Sequence, residues 1–101
     1  MSTDRELLEL AAKAARIEVT AVVAGGIPHR FGGGYWNPLT DDGDAFRLMI
    51  DLDIDIYGDE KYRGADAGNG YGAVEQVTGD LYAATRRAIT RAAAEIGKGM
   101  P

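Results

Sequence analysis

A chain of 101 residues, 46% hydrophobic and 27% charged, is sized for a single domain over residues 1–101 and composed like a folded globule. Its formal charge of −5 argues against direct, electrostatically driven binding to nucleic acid, and with no cysteine and His29 as the only histidine it offers no zinc centre. The opening MSTDRELLEL lacks the apolar stretch of a secretory signal, and no apolar run nears the roughly 20 residues that span a bilayer, so a cytoplasmic protein with no membrane partner is expected.

The first predicted element is a helix over residues 4–16. Thr3 and Glu6 have the spacing of a capping box, in which each side chain accepts from the other residue's backbone N–H. Leu7, Leu8, Ala11, Ala14 and Ala15 recur at helical spacing, and Lys13 and Arg16 suit the negative end of the helix dipole. Residues 17–24, IEVTAVVA, are rich in β-branched side chains and predict a strand, ended by Gly25, Gly26 and Pro28. His29, Arg30 and Phe31 could form a short partner strand before three consecutive glycines.

A second helix is expected beyond Pro38, capped by Thr40 or Asp41 and stopping near Asp51. Asp41, Asp42 and Asp44 crowd its first turn, where negative charge is favoured. Ala45, Leu48, Met49 and Leu52 form its apolar stripe, widened by Phe46 and Ile50. Residues 51–57 then alternate strictly, with Asp51, Asp53 and Asp55 facing one way and Leu52, Ile54 and Ile56 the other, which predicts a half-exposed strand. Residues 58–70 read as a long glycine-rich connection and 71–77 as a returning strand. Asp80 caps a last helix whose buried stripe is Leu81, Ala84, Thr85, Ala88, Ile89, Ala92 and Ile96, stopped by Gly97. This order implies an α+β fold, a small antiparallel sheet with three helices.

Chemistry-bearing patterns are few. Asp51, Asp53 and Asp55 begin like a calcium loop, but its required glycine and glutamate positions hold Ile56 and Tyr62. The glycine clusters lack the spacing of a nucleotide fingerprint. No nucleophile–base pair accompanies His29, so no catalytic residue and no cofactor are assigned. Two surfaces remain. Tyr35, Trp36 and Asn37, with Asp41, Asp42 and Asp44, form either a core anchor with a helix start or an aromatic and acidic binding surface. Arg86, Arg87 and Arg91 form either a solvated basic flank or an anion contact.

Three blocks carry a resemblance: ELLELAAKAARIEV at 6–19, GYWNPLTDDGDAFRL at 34–48 and DLYAATRRAITRAAAEIG at 80–97. Together and in this order they resemble the phage alpha-beta-alpha sandwich domain, a family of small phage and prophage proteins related to the NinX-like proteins. The similarity covers nearly the whole chain and is weakest between Gly58 and Gly72. The resemblance implies an accessory protein in the cytoplasm of an infected or lysogenic bacterium, with helices on both sheet faces. It brings no established activity and no catalytic residues. The expected function is therefore a non-enzymatic module that binds a host or phage macromolecule. The alternative is a small-ligand or nucleotide-sequestering protein using the arginines. A wet sheet face and alanine-rich helices leave little core for a monomer, so a homo-oligomer is a further option.

Overall fold

The computed structural model describes residues 3–29 and 32–101. Helix α1 runs Asp4–Ala14 behind the predicted capping box: the Thr3 hydroxyl accepts from Glu6 N–H while the Glu6 carboxylate accepts from Thr3 N–H. The Thr3 N–H, and with it the Thr3 hydroxyl, donate to the Glu6 carboxylate and hold the Glu6 carboxyl below its ordinary value. The helix ends in a Schellman motif, with Ile17 N–H on Ala12 O and Arg16 N–H on Lys13 O. Arg16, not a glycine, takes the left-handed position at φ 59°.

The strand expected over residues 17–24 is absent: the segment is irregular and mostly exposed, touching regular pairing only at the Val23–Gly26 bridge. Its β-branched side chains favour a strand, but a strand needs a neighbour for its backbone groups, and among the described residues none lies beside it. Instead β1 (Ile27–Pro28) pairs antiparallel with β2 (Tyr35–Trp36). Of the expected 29–31 partner strand, His29 lies beyond β1, and Arg30 and Phe31 fall outside the described residues. Ahead of β1 the chain turns back through the Val23–Gly26 bridge; at Gly26 a φ of 120° and the close approach of Trp36 O and the Asn37 side chain leave no room for a Cβ.

Helix α2 (Asp42–Asp51) starts at Asp41, whose carboxylate accepts from Asp44 N–H at 2.8 Å. It ends in a second Schellman motif, Ile54 N–H on Met49 O and Asp53 N–H on Ile50 O, with Asp53 left-handed at φ 55°. The strand predicted for 51–57 is thus shortened to β3 (Asp55–Gly58). Asp51 belongs to the helix and Asp53 to its cap, so the three aspartates do not share a strand face. Two of the alternating residues have been recruited by a helix end that sequence periodicity does not reveal.

Residues 58–70 are not one long connection. They contain β4 (Tyr62–Asp66), the central strand of an antiparallel sheet ordered β3–β4–β5, with β5 at Gly72–Gln76. The β3–β4 turn is closed by Asp59, whose carboxylate accepts from Lys61 and Tyr62 N–H. These backbone bonds lower the Asp59 pKa. Register places Ile56, Ala65 and Ala73 side by side on one face, and Tyr57, Gly64 and Val74 on the other. The Tyr57 ring occupies the space a Cβ on Gly64 would fill.

Helix α3 (Leu81–Lys98), capped by Asp80, packs on the Ile56–Ala65–Ala73 face and carries α1 on its other side. Being covered on two sides, it buries Thr90, Ala93, Ala94 and Gly97 in addition to the expected Ala84, Ala88, Ile89 and Ala92. Gly97 does not stop the helix; it lies inside it, against the Leu10 backbone of α1. Among the described residues the fold is α+β, with three helices and two small antiparallel sheets. The helix layers stack on one side of the three-stranded sheet instead of flanking it. Its other face is open, with Tyr57, Tyr62 and Val74 about half exposed. No described helix is long and apolar enough to cross a membrane.

Candidate functional site

The residues singled out between Tyr35 and Asp44 divide by burial. Trp36 is 7% exposed and belongs to the core cluster with Leu8, Ile27 and Leu48. Asn37 is buried beside it and satisfies loop backbone: its amide donates to Gly25 O, and its side-chain oxygen accepts from Leu39 N–H. Asp44, 5% exposed, accepts from Asn37 N–H at 2.9 Å and from the Arg47 guanidinium at 2.7 Å. These three side chains brace the chain as it turns into α2. Tyr35, Asp41 and Asp42 remain exposed.

The arginines of α3 are engaged within the chain. Arg86 donates through Nε to Leu39 O and through Nη1 to Asp42, 2.7 Å away, tying α3 to the start of α2. Arg87 pairs with Asp4 of α1 and lies 3.7 Å from Glu75. Arg91 donates to Val74 O and pairs with Glu75 of β5. Arg86 thus joins α3 to the start of α2, Arg87 to α1, and Arg87 and Arg91 together to Glu75 of β5. Among the described residues no group of three or more potential ligands is placed to hold a metal ion.

Beside the Asp42–Arg86 pair lies an apolar groove of about 280 Å3 between α2 and α3. Met49, Ile56 and Ile89 line it, and Phe46 and Tyr82 stand at its margin, 59% and 70% exposed. Phe46 and Ile50, expected to widen the buried stripe of α2, both point to solvent. The reason is geometric: among the described helices α2 packs chiefly on α3, so one stripe of it is buried and the adjoining one is left uncovered. A second stripe on each helix could have revealed the groove. Positions 42, 45, 46 and 49 line it from α2, and positions 82, 85, 86 and 89 line it from α3, with the same helical spacing. Exposed Asp41 and Asp42 flank α2 at its start and Asp51 and Asp53 at its end. The one basic side chain of α2, Arg47, is paired with Asp44.

Comparison of the chain with family models, curated proteins and solved structures returned no match.

Proposed function

We propose that this protein is a non-enzymatic interaction module whose contact surface is the groove between α2 and α3, and that its partner is a basic amphipathic segment of another protein. The observation that carries this reading is the exposure of Phe46 and Tyr82 at a preformed apolar groove. Large aromatic side chains at a groove are the usual anchors of helix-in-groove recognition. Exposed Asp51 and Asp53 at the end of α2, which hold no ion pair among the described residues, complement a positively charged partner. The setting in a phage or prophage, acting on a host or phage macromolecule, rests on the resemblance of the three sequence blocks alone. Of the proposed aromatic and acidic surface, Asp42 stays in contact with the groove, while Trp36, Asn37 and Asp44 support it from within.

The nucleotide-sequestering alternative has weaker support, because Arg86, Arg87 and Arg91 would have to exchange carboxylate partners they already hold.

The test is a titration of isotope-labelled protein with a helical peptide of leucine and lysine, followed by amide chemical shifts. Shifts should map to α2 and the first turns of α3. Phe46→Ala and Tyr82→Ala should each weaken binding by about tenfold, as anchor truncations do. Undiminished binding in both variants, or equal binding of a glutamate-for-lysine peptide, overturns the assignment.

A further inference from the structure

The three-stranded sheet turns one face away from α3, and that face is open. Alternation along the strands places Asp55 and Tyr57 of β3 on it, with Tyr62, Gly64 and Asp66 of β4 and Val74 of β5. None of the strand residues on this face is basic; Arg63, the one arginine within the three strands, lies with Ala65 on the α3 side. At the centre, Tyr57 lies flat. Its Cζ, Cε1 and Cε2 atoms are nearly equidistant from the point where a Cβ on Gly64 would sit. A ring approaching by its hydroxyl end would leave both Cε atoms well behind Cζ. The ring therefore lays one face on Gly64, and with 52% of the residue exposed its other face looks into solvent.

Asp55 and Asp66 stand directly opposite each other on the same face, two residues along the strands from Tyr57 and Gly64, or about 7 Å. Both are exposed. The Asp66 carboxylate accepts from Gly68 N–H in its own turn, and among the described residues neither aspartate has a cationic partner. Like charges placed directly opposite work against the strand pairing that holds them. Covering Gly64 accounts for the inner face of the Tyr57 ring. It does not account for two uncompensated carboxylates beside the outer one.

We propose that this sheet face docks an arginine side chain presented by another protein. The chemistry selects that occupant. A solvent-facing phenol ring attracts a cation to its π face, and a planar guanidinium stacks on such a ring while its N–H groups donate to carboxylates at the ring's margin. With two aspartates and no basic strand residue, the face is complementary to a cation and repels an anion. It is an open surface and not a cavity, so a free small molecule would stay largely hydrated on it. A protein segment adds contacts to Tyr62 and Val74, each about half exposed. The site is distinct from the groove between α2 and α3: on β3, Ile56 lines that groove while Tyr57 faces the opposite way.

The probe is a short glycine peptide with one central arginine, titrated into isotope-labelled protein and followed by amide chemical shifts. It should shift Tyr57, Gly64 and Asp66 and saturate with a Kd of about 1–10 mM, as a few weak exposed contacts allow. A citrulline peptide, of the same shape but neutral, should give no saturable shift. A lysine peptide should bind about threefold more weakly, because an ammonium cannot lie flat on a ring. Asp66→Asn keeps an oxygen acceptor for Gly68 N–H, and Tyr57→Leu keeps an apolar cover over Gly64, so both variants should fold. Each should lower the affinity about threefold, and Asp55→Asn combined with Asp66→Asn about tenfold. Phe46→Ala should leave this binding unchanged, which separates the site from the groove. Equal binding of the arginine and citrulline peptides, undiminished binding by the double asparagine variant, shifts confined to α2 and α3, or no saturable shift at all overturns the proposal.

Discussion

Replacing Gly97 by alanine sets two effects of opposite sign against each other. Alanine in a helix interior is favoured over glycine by about 1 kcal/mol, and no unusual φ is required at this position. An added Cβ, however, would come within 2.8 Å of the Leu10 carbonyl carbon and closer still to its oxygen, where real Cβ atoms essentially never lie below 3.0 Å. The obstacle is the backbone of α1, which cannot rotate aside as a side chain does. Relief requires α1 to move off α3, opening the contact shared by Ala11, Ala12 and Ala93. Against backbone that cannot yield, overpacking falls at the upper end of its usual range, about 2–3 kcal/mol, and outweighs the propensity gain. The expected net loss is about 1–2 kcal/mol, or a Tm lower by about 5–15 °C for a domain of this size. Gly43→Ala is the matched control, because there the new Cβ meets side chains and no backbone: the exposed Arg47 guanidinium and the Asp41 carboxylate that caps α2, each at 3.2 Å. It should gain up to about 1 kcal/mol. Urea unfolding followed by fluorescence of Trp36, the single tryptophan and a buried one, measures both. A Gly97→Ala protein as stable as wild type would refute the close α1–α3 approach.

Two further outcomes follow from the site and the turns. Asp44→Ala leaves the buried Asn37 N–H without its acceptor and should cost about 1–3 kcal/mol, whereas Arg47→Ala removes only an exposed partner and should cost under about 1 kcal/mol. Equal losses in the two urea curves would show that Asp44 does not brace the turn. Glu6 and Asp59 both have folded pKa values below their ordinary 4.5 and 3.8, chiefly through bonds from backbone N–H groups. Their contribution is therefore fully present above those values and is lost as pH falls through the depressed folded ones. Asp59→Asn keeps an oxygen acceptor but cannot titrate, so its stability should fall less steeply than wild type in acid. Identical acid slopes of the urea midpoint would contradict this.

The helices were legible in the sequence because their signals are local: Thr3 with Glu6, Asp41 and Asp80 each start the element expected of them. The strands were not, for two reasons. Helix ends here use Arg16 and Asp53 in the left-handed position that glycine usually marks, so although α2 stops at Asp51 as expected, its cap runs on through Asp53 and β3 begins only at Asp55. The central strand β4 is also disguised. Tyr62-Arg-Gly-Ala-Asp has no β-branched residue, because Tyr57 lies across Gly64 on one face and α3 presses on Ala65 from the other. Small residues mark that strand by what covers it, and the covering groups come from distant parts of the chain.

The same distinction governs the site. Trp36 and Asn37 stood out as rare residue types in an unusual local pattern, and that pattern serves the fold: a tryptophan in the core and an amide that holds a loop. Phe46 and Tyr82 looked ordinary, one as part of an apolar stripe and one as a helix-start residue. The start of α3 and the outer stripe of α2 carry more apolar width than their packing partners cover, and the way α2 meets α3 decides which part is left over. Sequence periodicity measures that width but not the coverage. The residue most conspicuous in the sequence is thus the one the fold consumes, and the surface left for a partner is built from the excess on two helices.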